Sequence, residues 1–111
     1  MSFPYPATDT LTISAAGTNS SALTPEERSA MVKLMLPAAM TGTALKLQGS
    51  LDGVAFGDVY LDGSAVSFTF GANQVHDINP RATFGLRSVR VVSNATETGG
   101  LSVGAVMTKV V

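Results

Sequence analysis

Two Leu-Asp-Gly triplets set ten residues apart, Leu51-Asp52-Gly53 and Leu61-Asp62-Gly63, constrain this chain more than any other feature. Asp-Gly suits the two positive-φ positions of a type I′ turn, whose twist matches that of the strands it joins. Around both triplets apolar and polar residues alternate, which is the period of a strand. The spacing predicts an antiparallel meander of three strands over residues 44–51, 54–61 and 65–70. Leu45, Leu47 and Leu51 share one face of the first strand, and Val66, Phe68 and Phe70 share one face of the third. Gly57-Asp58 interrupts the second strand in the manner of a bulge.

The same period runs through the rest of the chain. Leu11 and Ile13 alternate with Thr10, Thr12 and Ser14. Val32, Leu34 and Leu36 alternate with Met31, Lys33 and Met35 up to Pro37. A short strand is expected at 74–78, with His76 exposed opposite Val75, then a turn at Asn79-Pro80-Arg81. Further strands are expected over 85–93 and 101–110, the last with Leu101, Val103, Ala105 and Met107 on its apolar face. The one helix signal is Thr24-Pro25-Glu26-Glu27. A capping threonine, a proline at the first helical position and a glutamate three residues after the cap predict one or two turns. The reading is all-β: an antiparallel, jelly-roll-like sandwich of about eight strands over residues 25–111. Residues 1–24 form an extended N-terminal arm, with Pro4 and Pro6 favouring extended backbone.

Composition narrows the function. The 111 residues include no cysteine, which excludes a disulfide framework, a thiolate metal site and a cysteine nucleophile. No stretch approaches the roughly 20 apolar residues that span a bilayer, and the first ten residues lack the basic and apolar regions of a secretory signal. Net charge is −1 with no basic cluster, so neither a membrane nor a nucleic acid is an expected partner. Charged residues make up 14% of the chain, against about 25% in typical domains. Ala, Gly, Ser and Thr supply 48 residues. A surface so poor in charge points to contact with other chains.

Candidate chemistry is sparse. His76, the one histidine, has no partner identifiable by spacing, so a structural role is favoured over catalysis. Asp52, Asp58 and Asp62 lack the ligand density and closing glutamate of a calcium loop, and turn chemistry explains those before glycine. Glu26 and Glu27, being adjacent, face apart. Asn19-Ser20-Ser21 and Asn94-Ala95-Thr96 match the glycosylation pattern, which without a signal segment carries no weight. Most aromatic residues fall at core-phase positions. Phe3 and Tyr5 are the exception, and with Leu11 and Ile13 they are the candidate partner contacts: the latter two by adding a strand to a sheet edge, its own or a neighbour's. No catalytic, cofactor-binding or metal-binding residue is expected, and no cofactor.

From Val32 onward a strand ending Leu36-Pro37-Ala38-Ala39 is followed by Leu45-Lys46-Leu47-Gln48-Gly49-Ser50-Leu51-Asp52-Gly53, then Phe56, Asp58-Val59-Tyr60, Asp62-Gly63, Asn79-Pro80, Phe84-Gly85 and the run from Leu86 to Ser93. This order of features resembles small bacteriophage virion proteins. Met40 stands where such proteins usually carry tryptophan. The resemblance implies a β-sandwich in the virion and brings no catalytic residue. The resulting expectation is a capsid decoration or cement protein, made in the host cytoplasm, that binds the major capsid protein or another virion protein. A homo-oligomer is expected, a trimer if the arm passes between subunits. A tail or neck component and a carbohydrate-binding adhesin module are the alternatives.

Overall fold

The computed structural model describes residues 7–14, 16–25, 29–37, 40–69, 71, 73–97 and 100–109. Within them lie β1 (Ala7–Ile13), β2 (Ser29–Met35), β3 (Ala44–Ser50), β4 (Gly57–Asp58), β5 (Tyr60–Leu61), β6 (Ser64–Ala65), β7 (Ser67–Thr69), β8 (Val75–Asp77), β9 (Ser88–Ser93) and β10 (Leu101–Lys109). Every pairing between these strands is antiparallel. One sheet has the order β1-β10-β2-β8; the other is centred on β3, with β9 along one edge and β4 and β7 sharing the other. The two sheets form the sandwich expected from the alternation.

Its core is aliphatic. Leu11 and Ile13 from β1, Met31 and Leu34 from β2, Leu45 and Leu47 from β3, Val89 and Val91 from β9, and Val103, Ala105 and Met107 from β10 are all buried. Val66 packs against this cluster only partly buried. Burial of one such side chain contributes on the order of 1.5–3 kcal/mol, which is the main term holding two sheets of low charge together.

One side of the sandwich is stitched shut. After β1 the chain turns and residues 18–23 run along the outer edge of β9, with bridges from Asn19 to Val92 and from Leu23 to Val89. The Ser20 N–H donates to the Val91 carbonyl, and the Val91 N–H returns to the Ser20 hydroxyl and not to its carbonyl. Ile13 bridges back to Ser20. The first sheet thus continues into the second.

Several local expectations change. The meander forks at Leu47, whose N–H donates to Val66 and whose carbonyl accepts from Val59. Beyond that point β4 takes one half of the β3 edge and β7 the other. The β5–β6 hairpin therefore stands off the sheet instead of forming its middle strand. Only the second Asp-Gly makes a type I′ turn: Asp62 and Gly63 have φ of 53° and 85°, whereas at the first only Gly53 is positive. Leu51, expected inward, is exposed, because β3 ends at Ser50. In β2 the inward phase shifts at Val32, which is half-buried. The β10 register skips that residue, pairing Val106 with Lys33 and Met107 with Met31. The Met31 N–H is taken by the buried Thr83 hydroxyl. Of the expected helical turn near 25–30, residues 26–28 lie outside the described residues, and Ser29 and Ala30 already belong to β2. A 3-10 turn forms at Pro80–Ala82, capped by the Asn79 side chain on the Arg81 N–H.

Candidate functional site

Of the four candidate partner contacts, Phe3 and Tyr5 lie outside the described residues. Leu11 and Ile13 belong to a strand that adds to an edge of its own domain, paired with β10 from Ala7↔Met107 to Ile13↔Leu101. Both side chains are fully buried within one chain. As partner contacts they are corrected: the inward phase of β1 gives them to the core and leaves Thr8, Thr10 and Thr12 outside. The boundary at residue 24 is crossed by the same bonds, since Ser20 and Leu23 are tied to β9. Within the expected arm, residues 7–14 and 16–24 are thus part of the sandwich, and residues 1–6 lie outside the described residues.

The expected phase of His76 is reversed. It pairs with Leu34, and partners across an antiparallel ladder share a face, so half-buried His76 sits on the Leu34 side while Val75 lies outside beside Met35. Its Nε2 is 3.0 Å from the Gln74 side-chain oxygen. The three turn aspartates are engaged separately. Asp58 accepts from Gln48 and pairs with Lys46, Asp62 pairs with Arg81, and Asp52 braces its own loop. Among the described residues no three histidine or acidic side chains converge as a metal-binding group. The aromatic expectation also changes. Tyr60 and Phe84 are exposed, and Arg90 lies 4.2 Å above the ring of Phe56.

Sequence reasoning missed Glu97. Its side chain is 1% exposed, the one carboxylate inside the described structure. It accepts the Thr41 N–H at 2.7 Å, the Gly42 N–H at 2.9 Å and the Ser93 hydroxyl at 2.8 Å. Its own backbone joins Ala16 and Gly17. Next to it Asn94 accepts the N–H groups of Thr43 and Ala44 and donates to the Thr43 hydroxyl. Gly42 is required by this closeness: a Cβ there would lie 2.2 Å from Ser93 Oγ and 3.1 Å from Glu97 Oε2. Desolvation pushes the Glu97 pKa up, but the bonds from Thr41, Ser93 and Gly42 together outweigh it and hold the carboxyl below its ordinary value. Both of its oxygens are engaged by its own chain, so the cluster acts as a latch between three loops. In the sequence Glu97 looks like any glutamate in a polar loop. Only the distant N–H groups of residues 41 and 42 distinguish it.

At the other end of β3 the loop after Ser50 is organised by its own side chains. Asp52 Oδ1 accepts from the Ser50 hydroxyl and from the N–H groups of Val54 and Ala55, and Ser50 Oγ accepts from Gly53. Those bonds, led by the ones from Val54 and Ala55, lower the Asp52 pKa to about 2. The loop holds Leu51 and Val54 in solvent at 80% and 83% exposure. Beside them is an open apolar dent of about 360 Å³, walled by Gly49, Ser50, Leu51, Asp52, Ala55 and Leu86.

No family model matches the chain, and no curated protein matches it. Among solved structures, the chain is similar to the crystal structure of the SPBc2 prophage-derived protein YomS. The two share 16% identity with a TM-score of 0.59, over 97% of this chain and 99% of that one. At this identity the likeness carries the fold: the whole sandwich, end to end, is one that a prophage-derived protein also adopts.

Proposed function

We propose that this chain is a non-enzymatic structural protein of a bacteriophage particle, and that it serves as a decoration or cement protein on the outer face of the head. The observation that carries the reading is the likeness to a prophage-derived protein over 97% of this chain and 99% of that one. The low charge of the surface supports it, since a chain with 14% charged residues has surface suited to contact with other chains. In this role the work is mechanical. Each copy buries surface against the major capsid protein and so adds association energy to the shell. A tail or neck position uses the same physics with fewer copies. The adhesin alternative would draw on the exposed rings of Tyr60 and Phe84, since Arg90 covers one face of Phe56.

The test is the copy number in purified particles, by quantitative mass spectrometry. Decoration requires copies on the scale of the head lattice, in the hundreds. About a dozen or fewer, the multiplicity of axial structures, would move the protein to the neck or tail. Absence from particles would remove the virion reading altogether.

A further inference from the structure

The loop between β3 and β4 combines features that a turn does not need. A connection can be stiff without displaying large aliphatic side chains, yet this one is braced by Ser50 and Asp52 and exposes both Leu51 and Val54. Rigid display lowers the ordering cost of binding, which is the property of an interface and not of a linker. Its apolar knob also adjoins an apolar hollow between the loop, the end of β3 and Leu86. The hollow exists because Gly49 has no side chain: a Cβ there would lie 2.5 Å from Leu86 Cδ1, so Leu86 settles onto the sheet beside it.

Charge completes the pattern. Arg87 follows Leu86, and its Nε lies 3.3 Å from where a Cβ on Gly53 would be, so the guanidinium stem runs beside the loop. It has no ion-pair partner among the described residues. Asp52 uses Oδ1 for its loop bonds, and its Oδ2 accepts none among the described residues. The patch thus carries a knob, a hollow, a cation and an anion, each the complement of another on the same patch.

We propose that two copies of this chain associate about a two-fold axis through residues 50–56, each placing Val54 in the other's hollow and Arg87 against the other's Asp52. Two-fold symmetry follows from the placement. When knob and hollow lie side by side on one patch, a partner that receives the knob can return its own in the same contact, which is the self-complementary arrangement that closes as a pair. The proposal deepens the self-association expected of the virion protein by naming its surface, and it rests on that reading only for its purpose. The contact involves one loop and its flank, well short of the roughly 1,200–2,000 Å² of a standard stable interface. The pair is therefore weak in free solution and forms fully where copies are concentrated, as on a particle surface.

The experiment is analytical ultracentrifugation of the full chain from about 10 μM to 1 mM, a range chosen for weak association. The wild type should pass from monomer towards dimer and do so less readily in high salt. Val54→Asp should lower the association constant by about tenfold or more, since it carries a charge into an apolar hollow. Val54→Ser should fall between. Because residue 54 is almost wholly exposed, urea midpoints of both variants should match the wild type, which separates lost association from lost fold. Arg87→Glu should weaken dimers and reverse the salt dependence. A chain that is monomeric throughout, a trimer, or a Val54→Asp variant that associates like wild type would overturn the proposal. So would a monomer whose Val54 variants lose only particle binding, since the knob would then dock on another virion protein. The ultracentrifugation and urea measurements use no particles, so their failure and a failed copy-number test are separate results.

Discussion

The two ends of β3 stiffen their loops in opposite ways. At the Ala44 end, three loops distant in sequence are tied to one another through the buried Glu97 and its neighbour Asn94. At the Ser50 end, one loop is tied to itself through exposed Asp52. The first arrangement fixes loops relative to each other and leaves no part of the carboxylate for an outside molecule. The second fixes a loop's shape without consuming its outer surface, and that surface carries Leu51 and Val54. Polar groups that are buried make an architecture, whereas the same kind of group left at the surface prepares a contact.

The sharpest way to break the contrast is Glu97→Ala. It strands the buried Gly42 N–H and Ser93 hydroxyl and the partly buried Thr41 N–H, at about 1–3 kcal/mol for each buried group left unpaired. Urea unfolding should show a loss of about 3 kcal/mol or more, with Glu97→Gln recovering part of it. Gly42→Ala comes next. Its Cβ drives into Ser93 Oγ and must push the latch open, for a loss of about 1–3 kcal/mol. Asp52→Ala should have the smallest effect on global stability, because it loosens one exposed loop. Its effect should appear as faster hydrogen exchange at Val54 and Ala55 with the amides of residues 41–44 unchanged. If Asp52→Ala costs as much stability as Glu97→Ala, the two ends are not different in kind.

Acid sharpens the same comparison. Both carboxyls are lowered in the folded state, so each contributes stability that is complete above its unfolded pKa and is lost as pH falls through the folded one. For Asp52 that window runs from 3.8 to about 2. For Glu97 it opens below 4.5. Stability measured against pH should begin to fall below 4.5 in the wild type and should lose that first limb in Glu97→Ala. Carboxyl chemical shifts should place the Asp52 midpoint near 2.

The period-2 pattern made the sandwich legible because each sheet has one buried face. Leu45 and Leu47, Val89 and Val91, and Val103 and Met107 all point inward as the alternation requires. What it could not supply was anything decided between strands. The two Leu-Asp-Gly triplets are identical in sequence, yet only Asp62 adopts positive φ. Ser50 precedes the first triplet, and its hydroxyl, with Asp52, offers the backbone a different turn, whereas Tyr60 at the equivalent place cannot. The phase shift at Val32 depends on Thr83, 52 residues from Met31, and the latch joins residues 41 and 97. Leu11 and Ile13 show the same limit. Their alternation identified a strand, but only the pairing with β10 decided whose sheet it joined.

That pairing has a consequence for how the protein is made. β10 lies between β1 and β2, so a strand near the start of the chain and the next one after it meet only through residues 101–109. While a ribosome is still translating those residues, the first sheet lacks an inner strand, and β1 and β2, with Leu11, Ile13, Met31 and Leu34, are not joined into one layer over β3 and β9. The pairing of β1 with β10 spans nearly all of the described residues, so it is a non-local contact of the kind that forms late in folding.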